Sequence, residues 1–200
     1  MTTSSPNKTC VFIGNGAIGK TCLIKAICGE DLKRAMEDYN PTGRSKTHPT
    51  TSVKTRDGST VTLELRDTPG QDFDHFEKNS PSYVDVEEEI SRACAAADLA
   101  LVCFSITDPV SFGHVRTKWH PRVRHDAAQD VPIILVGLRS NWRNDAGILE
   151  MLAKNNKVTT LYDEGRQMFE EIGAVEYVEF AATVPGDADK VVDAVVAALR

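Results

Sequence analysis

No apolar run in this 200-residue sequence approaches the length of a bilayer-spanning helix. The most apolar stretch, Ala93 to Ile106, is short and is interrupted by Asp98. Positive charge is not in excess: 23 Lys and Arg face 29 Asp and Glu, a formal net charge of -6. That balance excludes a whole-surface nucleic-acid or anionic-membrane binder and leaves room only for a local polyanion contact, such as a phosphate pocket. Metal-type cysteine spacing is absent. The cysteines stand at 10, 22, 28, 94 and 103, and Cys10 and Cys103 lie in apolar runs where a thiol acts as a small hydrophobe. An odd number of core-like thiols suits a reducing compartment. The histidines at 48, 75, 114, 120 and 125 show no ligand pairing, and no Ser/His/Asp or Cys/His nucleophile set is present. Residues 1–8 lack a basic-then-apolar signal pattern and read as a flexible leader. No lipidation cysteine stands at the end. A cytoplasmic location is therefore expected, with membrane association only through a lipidated tail not present here.

What is there is ordinary in bulk and specific in pattern. Hydrophobic residues make up 41% and charged residues 26%, as in a globular chain, and the length suits one domain of about 100 to 200 residues. Residues 9–200 are expected to form it. Apolar, β-branched runs alternate with helical patterns, the signature of a mostly parallel sheet flanked by helices. Six strands are expected at Thr9–Gly14, Ser52–Arg56, Val61–Arg66, Leu99–Ser105, Val131–Val136 and Tyr177–Ala181, with Asp57-Gly58 as a hairpin turn. Helices are expected at Lys20–Cys28, Val86–Ala97, Ser111–Ala127, Gly147–Ala153, Glu164–Ile172 and Ala188–Leu199. Residues 39–50 and 72–85 are polar, unpatterned and long for connections, which marks functional loops or disorder. Trp119 and Trp142 read as packing or surface anchors.

The chemistry centres on Gly14-Asn15-Gly16-Ala17-Ile18-Gly19-Lys20-Thr21, which matches G-x-x-x-x-G-K-S/T. It follows an apolar strand and opens a helix, as a phosphate loop must. Its glycines let backbone N–H groups converge on phosphate oxygens. Lys20 supplies a point charge to the terminal phosphates, the Thr21 hydroxyl is placed for Mg²⁺, and the helix dipole adds to the attraction. Cys22 follows at the helix N-terminus and reads as inert packing, with a thiolate favoured by the helix N-terminus as the alternative. A second element, Asp67-Thr68-Pro69-Gly70-Gln71, supplies a carboxylate for Mg²⁺ at Asp67. The Gly70 N–H can meet a γ-phosphate, and Gln71 can orient a water.

Together these residues resemble the Ras superfamily, and the rest of the chain resembles its Rho family. Leu101-Val102-Cys103-Phe104-Ser105, Lys118-Trp119-His120-Pro121, Pro132 to Gly137 and Glu171 to Tyr177 carry that likeness, and residues 142–157 fit the Rho insert helix. The resemblance implies a P-loop G domain that binds Mg²⁺ with GTP or GDP, hydrolyses GTP slowly, and signals through two switch loops. Its expected partners are effectors, GAPs, exchange factors and dissociation inhibitors, and it is expected to be monomeric. Tyr39-Asn40-Pro41-Thr42 matches the family's Y-x-P-T and makes Thr42 the metal and γ-phosphate sensor; Thr50 is its rival in a longer loop.

The sequence departs from the family where the base is read. T-K-x-D becomes Leu138-Arg139-Ser140-Asn141, so a carboxylate that accepts two guanine hydrogen bonds is replaced by an amide. Leaving one donor opposite another costs about 1–3 kcal/mol, and Asn141 complements a base with a carbonyl at that edge, such as xanthine, better than guanine. Arg139 keeps the charge without the lysine stem. The S-A motif becomes Ala181-Ala182, which removes the bracing hydroxyl while the Ala182 N–H stays available to a base oxygen. Ala35 stands where an aromatic residue stacks on the base, and Pro69 where an alanine is usual. A pseudo-GTPase scaffold, or a P-loop enzyme using another nucleotide, therefore stands beside the switch reading. The acidic run Glu87-Glu88-Glu89 reads as a solvated helix face or as part of an altered switch II.

Overall fold

Strands with apolar side chains on both faces, as in Leu99–Ser105 and Ile133–Leu138, fix the frame. The computed structural model describes residues 7–30, 49–54, 58, 60–70, 86–128 and 130–200. Six strands, β1 (Asn7–Ile13), β2 (Thr50–Lys54), β3 (Thr60–Asp67), β4 (Leu99–Ser105), β5 (Ile133–Leu138) and β6 (Glu176–Phe180), form one sheet in the order β2-β3-β1-β4-β5-β6. Every neighbouring pair is parallel except β2 with β3. The helices are α1 (Lys20–Ile27), α2 (Val86–Ala95), α3 (Pro109–His114), α4 (His120–Asp126), α5 (Ala146–Ala153), α6 (Tyr162–Glu171) and α7 (Asp187–Ala198). Among the described residues no helix is long and apolar enough to cross a membrane.

The two-residue period of a strand sends alternate side chains to opposite faces. Cys10 and Phe12 of β1, Leu101 and Cys103 of β4, and Ile134 and Val136 of β5 meet α1 and α7 on one face. Val11, Ile13, Val102, Phe104, Ile133 and Leu135 meet α2, α4 and α6 on the other. Strands buried on both faces read as continuous apolar runs, which is why β4 and β5 stand out in the sequence.

Several boundaries differ from the sequence expectation. β5 begins at Ile133 rather than Val131 and runs on to Leu138, because Pro132 brings no N–H to the ladder and contributes its carbonyl to Ala100 N–H instead. α6 begins at Tyr162 rather than Glu164, since Glu164 is its third residue and its carboxylate accepts from Leu161 N–H at 2.6 Å. α7 begins one residue earlier than expected, at Asp187. The helix expected at Ser111–Ala127 is broken by a π-helical turn, Val115–Trp119, between α3 and α4. Pro121 removes a donor and crowds the carbonyl four residues back. The ladder widens just upstream, where His120 N–H bonds the Val115 carbonyl five residues away.

Charge pairs fasten the elements. In α2, Glu87 pairs with Arg122, which also binds Ser91 and Asp126, so part of the acidic run ties α2 to α4. At the head of β4, the Asp98 carboxylate takes Lys8 Nζ and Thr9 N–H, both at 2.8 Å. Burial pushes this carboxyl up, but the two hydrogen bonds and the Lys8 charge outweigh it and hold it below the usual range. A carboxyl whose folded-state pKa is depressed stabilises fully above its unfolded pKa, and that contribution fades as pH falls through the folded value. Asp98→Asn is therefore expected to unfold at lower urea than the parent at pH 7, with the gap narrowing below about pH 4. A gap that stays constant down to acid pH would contradict this account.

Candidate phosphate and base site

The site lies at the C-terminal edge of the parallel strands, where β1 turns into α1 and β3 ends. Gly14 closes the first turn at φ 155, and a Cβ there would stand 2.3 Å from the Cys103 carbonyl oxygen, so only glycine fits. Ala17 takes the left-handed conformation, φ 59. Gly19 caps α1 with no side-chain acceptor on the first-turn N–H groups. Those amides point where an anion would sit.

Lys20 is 5% exposed and curls back over the loop, donating to the carbonyls of Gly14 at 2.9 Å and Asn15 at 2.7 Å. Burial lowers the pKa of its ammonium, and the nearby Asp67 works against that shift. Thr21 Oγ1 donates to Asp67 Oδ2 at 2.5 Å, which joins a hydroxyl from α1 to a carboxylate from the end of β3. This oxygen pair beside a phosphate loop suits a hard cation such as Mg²⁺, which would take its remaining ligands from water and phosphate. Among the described residues no group of three or more His, Cys, Asp and Glu gathers to hold a metal.

The second element is fixed to the first by backbone. Thr68 donates its hydroxyl to the Phe12 carbonyl at 2.8 Å. The Gly70 carbonyl accepts from Gly16 N–H at 2.7 Å. A Cβ on Gly70 would stand 2.3 Å from the Asn15 and Gly16 backbone, so this approach also demands glycine. Tyr39, Thr42 and Gln71 lie outside the described residues, as do Ala35 and Asp57. Thr50, the rival to Thr42, is taken up as the first residue of β2 opposite Glu64.

On the side expected to face the base, β5 delivers Arg139 in a left-handed conformation, φ 63, into the short 3-10 turn Ser140–Trp142. The Arg139 guanidinium donates to the Ala17 carbonyl at 2.6 Å and lies over the Trp142 ring. A guanidinium fork thus ties the base segment to the phosphate loop. Asn141 is exposed on this turn. Two residues on, Arg143 pairs with Glu179 of β6 and donates to the Thr160 carbonyl at 3.1 Å, which anchors the far end.

Ala181 and Ala182 follow β6. The hydroxyl brace lost from this loop has a counterpart that the sequence did not signal: Asp187, 5% exposed at the start of α7, accepts from Ala181 N–H at 3.0 Å and from Lys190 at 2.6 Å. An acidic residue in a helix's first turn ordinarily reads as a dipole partner, so nothing in the pattern distinguished this one. Cys22 is half-buried, and burial raises its thiol pKa against the opposing pull of Arg139 and Lys25. The structure thus favours the inert reading over a reactive thiolate.

A model of the Ras family matches residues 9–200 of this chain. The chain belongs to the Ras family. Within it the Rho likeness holds: the Rho-related protein racC of Entamoeba histolytica is 35% identical over 173 residues, covering 86% of this chain and 79% of that protein. This Ras-family member is a Rho-like small GTPase with the six-stranded P-loop fold of its class.

Proposed function

We propose that residues 9–200 form a single G domain that binds Mg²⁺ with GTP or GDP, hydrolyses GTP slowly, and presents two switch loops to effectors. The observation that carries this reading is the convergence of Lys20, the uncapped start of α1, the Thr21–Asp67 pair and Gly70 on one spot. The α1 amides and Lys20 would hold phosphate oxygens, while Thr21, Asp67 and Thr42 would hold the metal, which spreads charge off the phosphates. Asn141, Ala181 and Ala182 would face the base, with Arg139 joining them to the loop. Gln71 would orient the attacking water, and a GAP would bring an arginine to the transition state. Exchange factors and dissociation inhibitors complete the expected partner set, at a cytoplasmic site or at a membrane reached through a lipidated tail.

A second reading has its own support. Leu138, Asn141 and Ala181 stand where polar groups read or brace the base, and the same fold would serve as a scaffold with weak or static nucleotide. Chromatography of the nucleotide released from gently denatured protein separates the two. Guanine nucleotide near one mole per mole supports the switch; an empty protein supports the scaffold; adenine or xanthine nucleotide overturns guanine specificity. Where GTP is bound, single-turnover hydrolysis with Gln71→Leu is expected to fall by roughly tenfold or more. An unchanged rate removes Gln71 from the mechanism.

A further inference from the structure

We propose that Asn15 is a positioning residue of the phosphate loop, clamped through its side-chain oxygen by Trp119 and His114. The inference rests on the reading of residues 14–21 as a phosphate site. Asn15 Oδ1 accepts from Trp119 Nε1 at 2.7 Å and lies 3.0 Å from His114 Nδ1, which donates in its Nδ1–H tautomer. An amide oxygen has two lone pairs, and both are engaged. Rotating the amide would turn its NH₂ group onto two donors, so the side chain has one satisfactory orientation.

The donors are aimed by the π-helical turn. In a regular α-helix of about 3.6 residues per turn, residues five apart point about 140° away from each other. The i to i+5 geometry of Val115–Trp119 returns Trp119 toward the face that carries His114. Trp119 is 2% exposed, and its indole is a donor only. Without Asn15 that N–H would be buried and unpaired.

The main chain of the same residue is held as well. The Asn15 carbonyl accepts from Lys20, and the next amide, Gly16 N–H, donates to Gly70. A peptide tethered on three sides keeps the loop's amides in place before any ligand arrives, which lowers the ordering loss on binding. Trp119, expected to be a packing or surface anchor, therefore has a second role as the brace of this loop.

The test uses the full chain with Asn15→Ala, Trp119→Phe, the double variant and Asn15→Asp. Dissociation of a fluorescent GDP is expected to quicken about tenfold in Asn15→Ala and by less in Trp119→Phe, which keeps the His114 contact. The double variant is expected to match Asn15→Ala, since that change already removes the acceptor of both donors. Asn15→Asp keeps the acceptor and is expected to recover most of the loss. Nuclear magnetic resonance of the indole N–H groups reads the contact itself: the Trp119 signal moves upfield in Asn15→Ala while that of Trp142 stays. A release rate within about twofold of the parent in Asn15→Ala, or effects that multiply in the double variant, overturns the clamp. If the parent holds no nucleotide of any base, the phosphate-site reading fails separately. Hydrogen exchange at residues 14–19 then decides the clamp: faster exchange in Asn15→Ala upholds it, and unchanged exchange overturns it.

Discussion

Lys20→Met is expected to lower nucleotide affinity by at least about 100-fold while leaving the melting temperature of the nucleotide-free protein unchanged or higher. The two halves follow from one placement. With phosphate bound, the ammonium is the point charge for the terminal oxygens, and losing a charge-assisted contact in a site that excludes water costs about 3 kcal/mol or more. Without phosphate, the same ammonium is 5% exposed and donates to the Gly14 and Asn15 carbonyls, with Asp67 as the nearby counter-charge. Its burial lowers its pKa, the mark of a desolvated cation. Hydrogen bonds from a charged donor return about 1.5–3 kcal/mol each, against several kcal/mol for taking the ion out of water. A methionine of similar length fills the space without that penalty. Equilibrium binding and thermal melting of stripped protein check both halves, and affinity kept within about tenfold would remove Lys20 from the phosphate site.

Asn141→Asp is expected to raise guanine affinity by about 10- to 100-fold, matching the roughly 1–3 kcal/mol of an unpaired polar group at the base edge. Asn141 is exposed on the turn Ser140–Trp142, which is tied to Ala17 by Arg139 on one side and to Glu179 by Arg143 on the other. Changing an amide to a carboxylate therefore leaves the turn in place and alters what it offers to the ligand. The parent is expected to take xanthine diphosphate at least as well as GDP, and the variant to reverse that order. Competition of the two diphosphates against one fluorescent ligand measures the exchange. Equal preference in both proteins would mean that residue 141 does not face the base.

Much of the architecture was legible because its causes are local. Strands buried on both faces announce themselves as apolar runs, as in Leu99–Ser105, and residues 14–21 carry their own turn and helix signals. Boundaries slipped where one side chain outweighed the period: Pro132 withholds an N–H from β5, and Glu164 caps the helix it was expected to begin. The supports of the site were illegible for a different reason. The Asp187 brace on Ala181 and the meeting of Asn15 with Trp119 depend on the tertiary approach of separate elements. No periodicity encodes that approach. The π-helical turn had a visible cause in Pro121, but a proline inside a helical pattern can equally end the helix or kink it.

The bond between Gly16 and Gly70 joins the loop after β1 to the segment after β3 through one hydrogen. A methyl group at residue 70 would collide with the Asn15 and Gly16 backbone, so any bulkier residue there would prise the two segments apart and break the only backbone bond between them among the described residues.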